Sequence, residues 1–177
     1  MRPIIYFIAL ATFVSAEARD VIREGIAITV PEGKWKQGVG NCTGDWAWTR
    51  DGIGFAIGTR HYLKNDPEYL TSGQIRIHNF TDIQSEVVSL LEPQGHLIRV
   101  DKRKSKGGSE ILVLEFDVDP DKENPSRSRT LYAYREALDR RSAVEVGCSF
   151  IEKQKVLGMQ IFEAALKSLC EVENQTK

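Results

Sequence analysis

Apolar residues occupy every second position at Ile26, Ile28 and Val30, with Ala27 and Thr29 between them, before Pro31-Glu32-Gly33. That alternation predicts a half-buried strand closed by a turn. Gly38, Gly40 and Gly44 then interrupt the chain. Trp46 and Trp48 fall on one side of the next strand, and residues 53–63 form another after Gly52 and Gly54, so a hairpin is expected. One helical turn is expected over 66–71. A half-buried strand follows over 74–80, where Ile75 and Ile77 alternate with Arg76 and His78.

From Thr81 the apolar period becomes helical, with Ile83, Val87, Leu90 and Leu91 on one face. Thr81 and Gln84 fit a capping box for the helix start, and Pro93 with Gly95 ends it. Strands are predicted over 97–100, 111–118, 130–138 and 143–151. Their connections carry the run Lys102-Arg103-Lys104-Ser105-Lys106-Gly107-Gly108 and the stretch 117–125, both turn-rich in composition. Val156, Met159, Phe162, Ala165, Leu166 and Leu169 recur at helical spacing, which predicts a closing amphipathic helix packed on a mainly antiparallel sheet. Fully burying each large side chain contributes about 1.5–3 kcal/mol, so core packing explains that stripe more economically than a partner-binding helix. A short polar tail completes the chain.

The first sixteen residues break this pattern. Arg2 precedes an uncharged apolar run from Ile4 to Val14, and small residues follow. This is the layout of a signal peptide with cleavage after Ala16, Ala18 offering a second site. The run is shorter than the roughly 20 apolar residues that span a bilayer, and Glu17, Arg19 and Asp20 follow at once. The competing reading is a buried N-terminal strand or helix. The expected organisation is a signal peptide over 1–16 and a single α+β domain over 17–177. Export to the periplasm or the medium follows.

Without Arg2 the balance of 24 basic and 25 acidic residues becomes 23 against 25. That net charge of about −2 gives no footprint for nucleic acid. Three cysteines remain, Cys42, Cys148 and Cys170. In an oxidising compartment one pair and one leftover is the expectation. A closing helix that folds back over the last long strand would bring Cys148 to Cys170, leaving Cys42 free or bonded to another chain. Pairing of Cys42 with Cys170 is the alternative.

No cluster in the chain spells out a reaction. His61, His78 and His96 are isolated, without the short spacings of a metal site. Gly-x-Ser-x-Gly is absent, and Cys42 near Asp45 reads as an oxidisable thiol before a nucleophile. Asp117, Asp119 and Asp121 alternate like calcium-loop ligands, yet Pro120 and Lys122 interrupt them and no glycine holds the sharp turn. No catalytic residue, cofactor or metal ligand is assigned. The contact candidates are Trp35, Trp46 and Trp48, crowded early in the chain, with Trp35 in a turn open to exposure, and the basic trio Lys102, Arg103 and Lys104. Core packing is the competing role for the tryptophans, and a solvated loop for the trio. Asn41, Asn79 and Asn174 sit in Asn-x-Ser/Thr triplets, which matter only in a eukaryotic secretory pathway.

The order of elements carries a resemblance. The early strand ending Pro31-Glu32-Gly33-Lys34-Trp35, two more strands, a helix, antiparallel strands through Val144-Glu145-Val146-Gly147-Cys148-Ser149-Phe150, and a helix over 157–169 together resemble the PsbP-like fold shared with DcrB-like bacterial envelope proteins. The resemblance implies an antiparallel sheet flanked by helices that binds other macromolecules, with no catalytic set to carry over. Many DcrB-like relatives are lipoproteins, and this chain has no cysteine at the expected cleavage point. The expected function is an exported, non-catalytic binding or accessory protein acting through protein-protein contacts. An inhibitor or immunity-type protein presenting the loop 38–44 to a toxin or hydrolase is one alternative, and a small hydrolase with an unrecognised acid pair is another.

Overall fold

The computed structural model describes residues 19–39, 46–62, 77–120 and 126–172, with the backbone alone at 19, 37–39 and 46–48. The expected leader over 1–16, the turn over 66–71, Cys42, Asn41 and Asn174 lie outside these residues.

Ten strands are described: β1 (Arg19–Arg23), β2 (Ile26–Val30), β3 (Lys36–Val39), β4 (Trp46–Arg50), β5 (Ile53–His61), β6 (Gly95–Lys104), β7 (Glu110–Val118), β8 (Ser128–Glu136), β9 (Ser142–Ile151) and β10 (Cys170–Glu171). Helix α1 (Ile83–Leu91) separates β5 from β6, and α2 (Lys155–Ser168) separates β9 from β10. Seven strands form one sheet in the order β3-β4-β5-β9-β8-β7-β6, and β1-β2-β10 form a second. Every neighbouring pair is antiparallel. Two of the hairpins turn in two residues, Glu24-Gly25 and Asp51-Gly52, all four at positive φ between 47° and 79°. Such turns match the right-handed twist of the strands they join, which is why glycine holds the second position of each.

Alternation along the central strands sends side chains into two cores. On one face Ile53, Phe55 and Ile57 of β5 and Val144, Val146, Cys148 and Phe150 of β9 meet Ile161, Phe162, Ala165 and Leu166 of α2. The small sheet adds Ile26, Ile28 and Val30 to that core, so the alternation of β2 is buried as its sequence predicts. On the other face Leu112, Leu114, Phe116 and Tyr134 pack against Ile77 and against Ile83, Val87 and Leu91 of α1. The result is a sandwich with α2 and the small sheet on one side of the large sheet and α1 on the other.

Several expectations change. Residues 77–80 are not a strand: Asn79 caps a 3-10 turn, Phe80–Asp82, that leads into α1. Its side-chain oxygen accepts from the amides of Thr81 and Asp82, so Asn79 replaces the expected Thr81–Gln84 box. Leu90 is 46% and Val156 73% exposed, so the two helical stripes are narrower than their sequences suggest. The expected polar tail begins with β10, which pairs Cys170 with Ala27 and Glu171 with Ile26. Lys102, Arg103 and Lys104 belong to strand β6 and not to a loop, and the turn is confined to the residues between β6 and β7.

Candidate binding groove

Helix α1 covers one end of its face of the large sheet, and among the described residues no element covers the other end. There the alternation of β5 sets Gly54 and Ala56 against the core-facing Ile53, Phe55 and Ile57, and that of β9 sets Gly147 and Ser149 against Val146, Cys148 and Phe150. The register aligns Gly54 with Ser149 and Ala56 with Gly147. A lane of minimal side chains therefore crosses two adjacent strands. A Cβ at Gly54 would come within 2.7 Å of Ser149 Oγ, so glycine keeps that hydroxyl in place.

The lane is the floor of an open groove of about 590 Å³. Thr49, Ser128 and Thr130 add hydroxyls from β4 and β8, while Gln94 and Val118 bound one end. Tyr132 bounds another, its ring set edge-on to Phe116 at 6.4 Å and stacked on Tyr134 at 6.2 Å between centroids.

Beyond Tyr132 the same face becomes charged and buried. Arg60 Nε donates to Glu145 Oε2 at 2.7 Å. Tyr134, next to Glu145 across the β8–β9 ladder, is fully buried. Burial holds its phenol well above the usual range, and the Glu145 charge adds to the rise. Tyr62 is raised too, first by burial and then by Glu136, to which its hydroxyl donates at 3.4 Å. These pairs brace the sheet behind the groove. Among the described residues no three His, Cys, Asp or Glu side chains converge on a point that would hold a metal ion.

The residues singled out in the sequence do not assemble into one patch. Trp35 is 3% exposed, packed 6.0 Å from Phe55, with its indole N–H donating to Pro31 O at 2.7 Å. It is a core residue that closes the Pro31–Trp35 turn, so the surface role considered for it is withdrawn. Trp46 and Trp48 stand opposite Ile57 and Phe55 in the β4–β5 ladder, and their side chains lie outside what the structure describes. The basic trio is split by the strand's alternation. Arg103 donates to Asp101 and Glu163 at 2.8 Å each, Lys102 pairs with Glu110 at 3.3 Å, and Lys104 is exposed. The bond from Arg103 holds the Asp101 carboxyl below the usual range.

The expected disulfide between Cys148 and Cys170 is also absent, and both are free thiols. Cys148 lies beneath the start of α2, its Sγ 3.6 Å from Gly158 O. Cys170 follows the helix's far end, and the ten steps from Gly158 to Ser168 rise about 15 Å. The helix does fold back over β9, but it carries the second cysteine past the first. The groove had one sequence signal: small residues alternating with large ones in both β5 and β9.

No protein-family model and no curated protein matches the sequence. Solved structures do match. Cyanobacterial PsbP (CyanoP) from Synechocystis sp. PCC 6803 superposes with a TM-score of 0.57 at 14% identity, over 96% of this chain and 98% of that one. The chain has a PsbP-like fold. Protein PA94 of Pseudomonas aeruginosa matches the same PsbP-like architecture with a TM-score of 0.53 at 10% identity, covering 90% of this chain and 100% of that one. The Ran-binding protein Mog1p of Saccharomyces cerevisiae follows with 0.51 at 11% identity, covering 88% and 96%. The PsbP-like fold expected from the sequence is thus the fold observed. At these identities the likeness speaks to fold alone.

Proposed function

We propose that this chain is an exported, non-catalytic binding or accessory protein that works through protein-protein contacts, with the bare end of the large sheet as its contact face. The groove carries this reading: a broad, open surface paved with glycine, alanine and hydroxyl side chains, displayed by four adjacent strands that the two cores hold rigid. The name of Mog1p, a Ran-binding protein, gives a precedent for a protein of this architecture in a binding role. The leader-like segment over 1–16 supports export.

Two measurements test the reading. The protein recovered from its native cells should begin at Glu17; a chain still carrying Met1 would remove export. Affinity capture from the native envelope or secreted fraction should enrich a protein with the wild type and lose it with Ala56→Leu, which fills the groove, but keep it with Lys104→Glu. A partner indifferent to Ala56→Leu would move the contact face elsewhere, and no reproducible partner would sink the binding role.

A further inference from the structure

We infer that the groove receives an extended, uncharged segment of a partner polypeptide, five or six residues long, and not a folded surface or a small molecule. The inference rests on the binding role proposed above and specifies the form of the partner. It is drawn from the groove's dimensions and from the chemistry of its lining.

The groove reaches from Thr49 on β4 across β5, β9 and β8 to Val118 on β7. Four strand spacings make that about 19 Å, and the run from Ser128 to Tyr132 along β8 makes the other dimension about 13 Å. Its footprint is therefore about 250 Å², and the groove is open to solvent and not enclosed. A small-molecule site of this volume buries most of its ligand's surface, which so open a depression does not do. A stable interface between two folded proteins takes about 800 Å² from each partner, roughly three times this footprint. One layer of extended chain fits both limits. At about 3.3 Å per residue the long dimension holds five or six residues.

The lining narrows the choice further. In this chain 28% of residues are charged, and protein surfaces carry about that share. None of the described residues that line the groove is Asp, Glu, Lys, Arg or His. A charged side chain laid there would lose water and gain no counter-ion from these lining residues, so uncharged sequences are selected. An extended segment also brings main-chain N–H and C=O groups that must be satisfied. Thr49, Ser128, Thr130 and Ser149 each offer a hydroxyl that donates or accepts, and Gln94 adds an amide that does both. Ser149 Oγ lies over Gly54 and the Tyr132 ring over Gly147, so a hydroxyl and an aromatic edge stand ready on the floor for a second main chain. A helix would need a large apolar ridge opposite its own, as α2 finds on the other face, and this floor supplies none.

The test is selection of a random heptapeptide phage library on the full chain, followed by titration of the winning synthetic peptides. The expected winners are depleted of Asp, Glu, Lys and Arg and bind at least tenfold more weakly to Ala56→Leu. Thr130→Val, which keeps the shape and removes one hydroxyl, should weaken them as well at an unchanged melting temperature, so the result does not depend on how Ala56→Leu folds. Winners rich in charge, or indifferent to both substitutions, overturn the inference. If no peptide binds while affinity capture yields a partner that Ala56→Leu releases, the contact is a folded surface. The inference then falls and the binding role stands. If neither peptide nor partner is found, both fall.

Discussion

Gly158 of α2 lies so close to the ring of Phe150 on β9 that a Cβ at position 158 would collide with Cδ1 of that ring. Inside a helix, alanine is better than glycine by about 1 kcal/mol. Forcing a methyl group into a packed core costs about 1–3 kcal/mol. Because Phe150 is itself buried between sheet and helix, the collision outweighs the propensity. Gly158→Ala should lower unfolding free energy by about 1–2 kcal/mol in urea titration, and Phe150→Leu in the same chain should recover part of that loss.

Cys148 sits in the same contact, and burial pushes its thiol from 9.0 up to about 12. In native protein at pH 8, iodoacetamide should modify Cys170, which is exposed, and spare Cys148 until denaturant is added, as peptide mass spectrometry would read. The raised value also fixes the sign of a pH effect. The unfolded thiol ionises near 9 and the folded one near 12, so stability from this group is intact below 9 and falls as pH rises toward 12. Cys148→Ala should lose less stability than the wild type between pH 9 and 11, whatever its offset at pH 7.

Arg135 is 1% exposed, and its Nη2 donates to Glu171 Oε1 at 2.6 Å and to Ser109 Oγ at 3.1 Å. Its Nε and Nη1 have no hydrogen-bond partner among the described residues. Removing one member of a buried pair costs about 3–5 kcal/mol, but Glu171 is 47% exposed, so solvent screening reduces this to about 1–3 kcal/mol. Glu171→Gln should be destabilised by that amount in urea. Arg135→Met combined with Glu171→Gln should recover most of it, because no buried charge is then left unpaired.

Trp35→Ala should cost about 3–5 kcal/mol, as truncation of a buried aromatic does. Lys104→Glu, on an exposed strand position, should stay within about 0.5 kcal/mol. Thermal melting of the two variants would show why a binding defect in Trp35→Ala reports unfolding and cannot locate a contact face.

These residues also show what the sequence made legible. Strands with many buried positions announced themselves: Ile26, Ile28 and Val30 in β2 lie where their alternation put them, and β7, β8 and β9 lie over the later runs predicted as strands. The closing helix was equally plain from Phe162, Ala165 and Leu166. Short or edge elements were not. In β1 only Val21 is buried among the residues with described side chains, and β10 has two residues, too few for any period to show. The end of β6 reads as a loop because an edge strand can carry Lys102 and Lys104 on a wetted face, where charge also discourages pairing with other chains. Leu90 and Val156 completed helical stripes that the tertiary packing left uncovered. The groove was the hardest to read, since its floor is defined by side chains that glycine and alanine lack. Trp35 misled in the opposite direction: a turn in sequence was a lid on the core in space.

The small sheet joins the two extremes of the described chain. Its central strand β2 takes β1 along one edge and β10 along the other, and the amide of Thr29 donates to Ser168 Oγ across 139 positions. Contacts of such separation are closed late, after the entropy of a very long loop has been overcome. The three-stranded layer cannot be completed while β10 is withheld, whereas the seven-stranded sheet needs none of it. The small sheet therefore closes only when its last strand arrives.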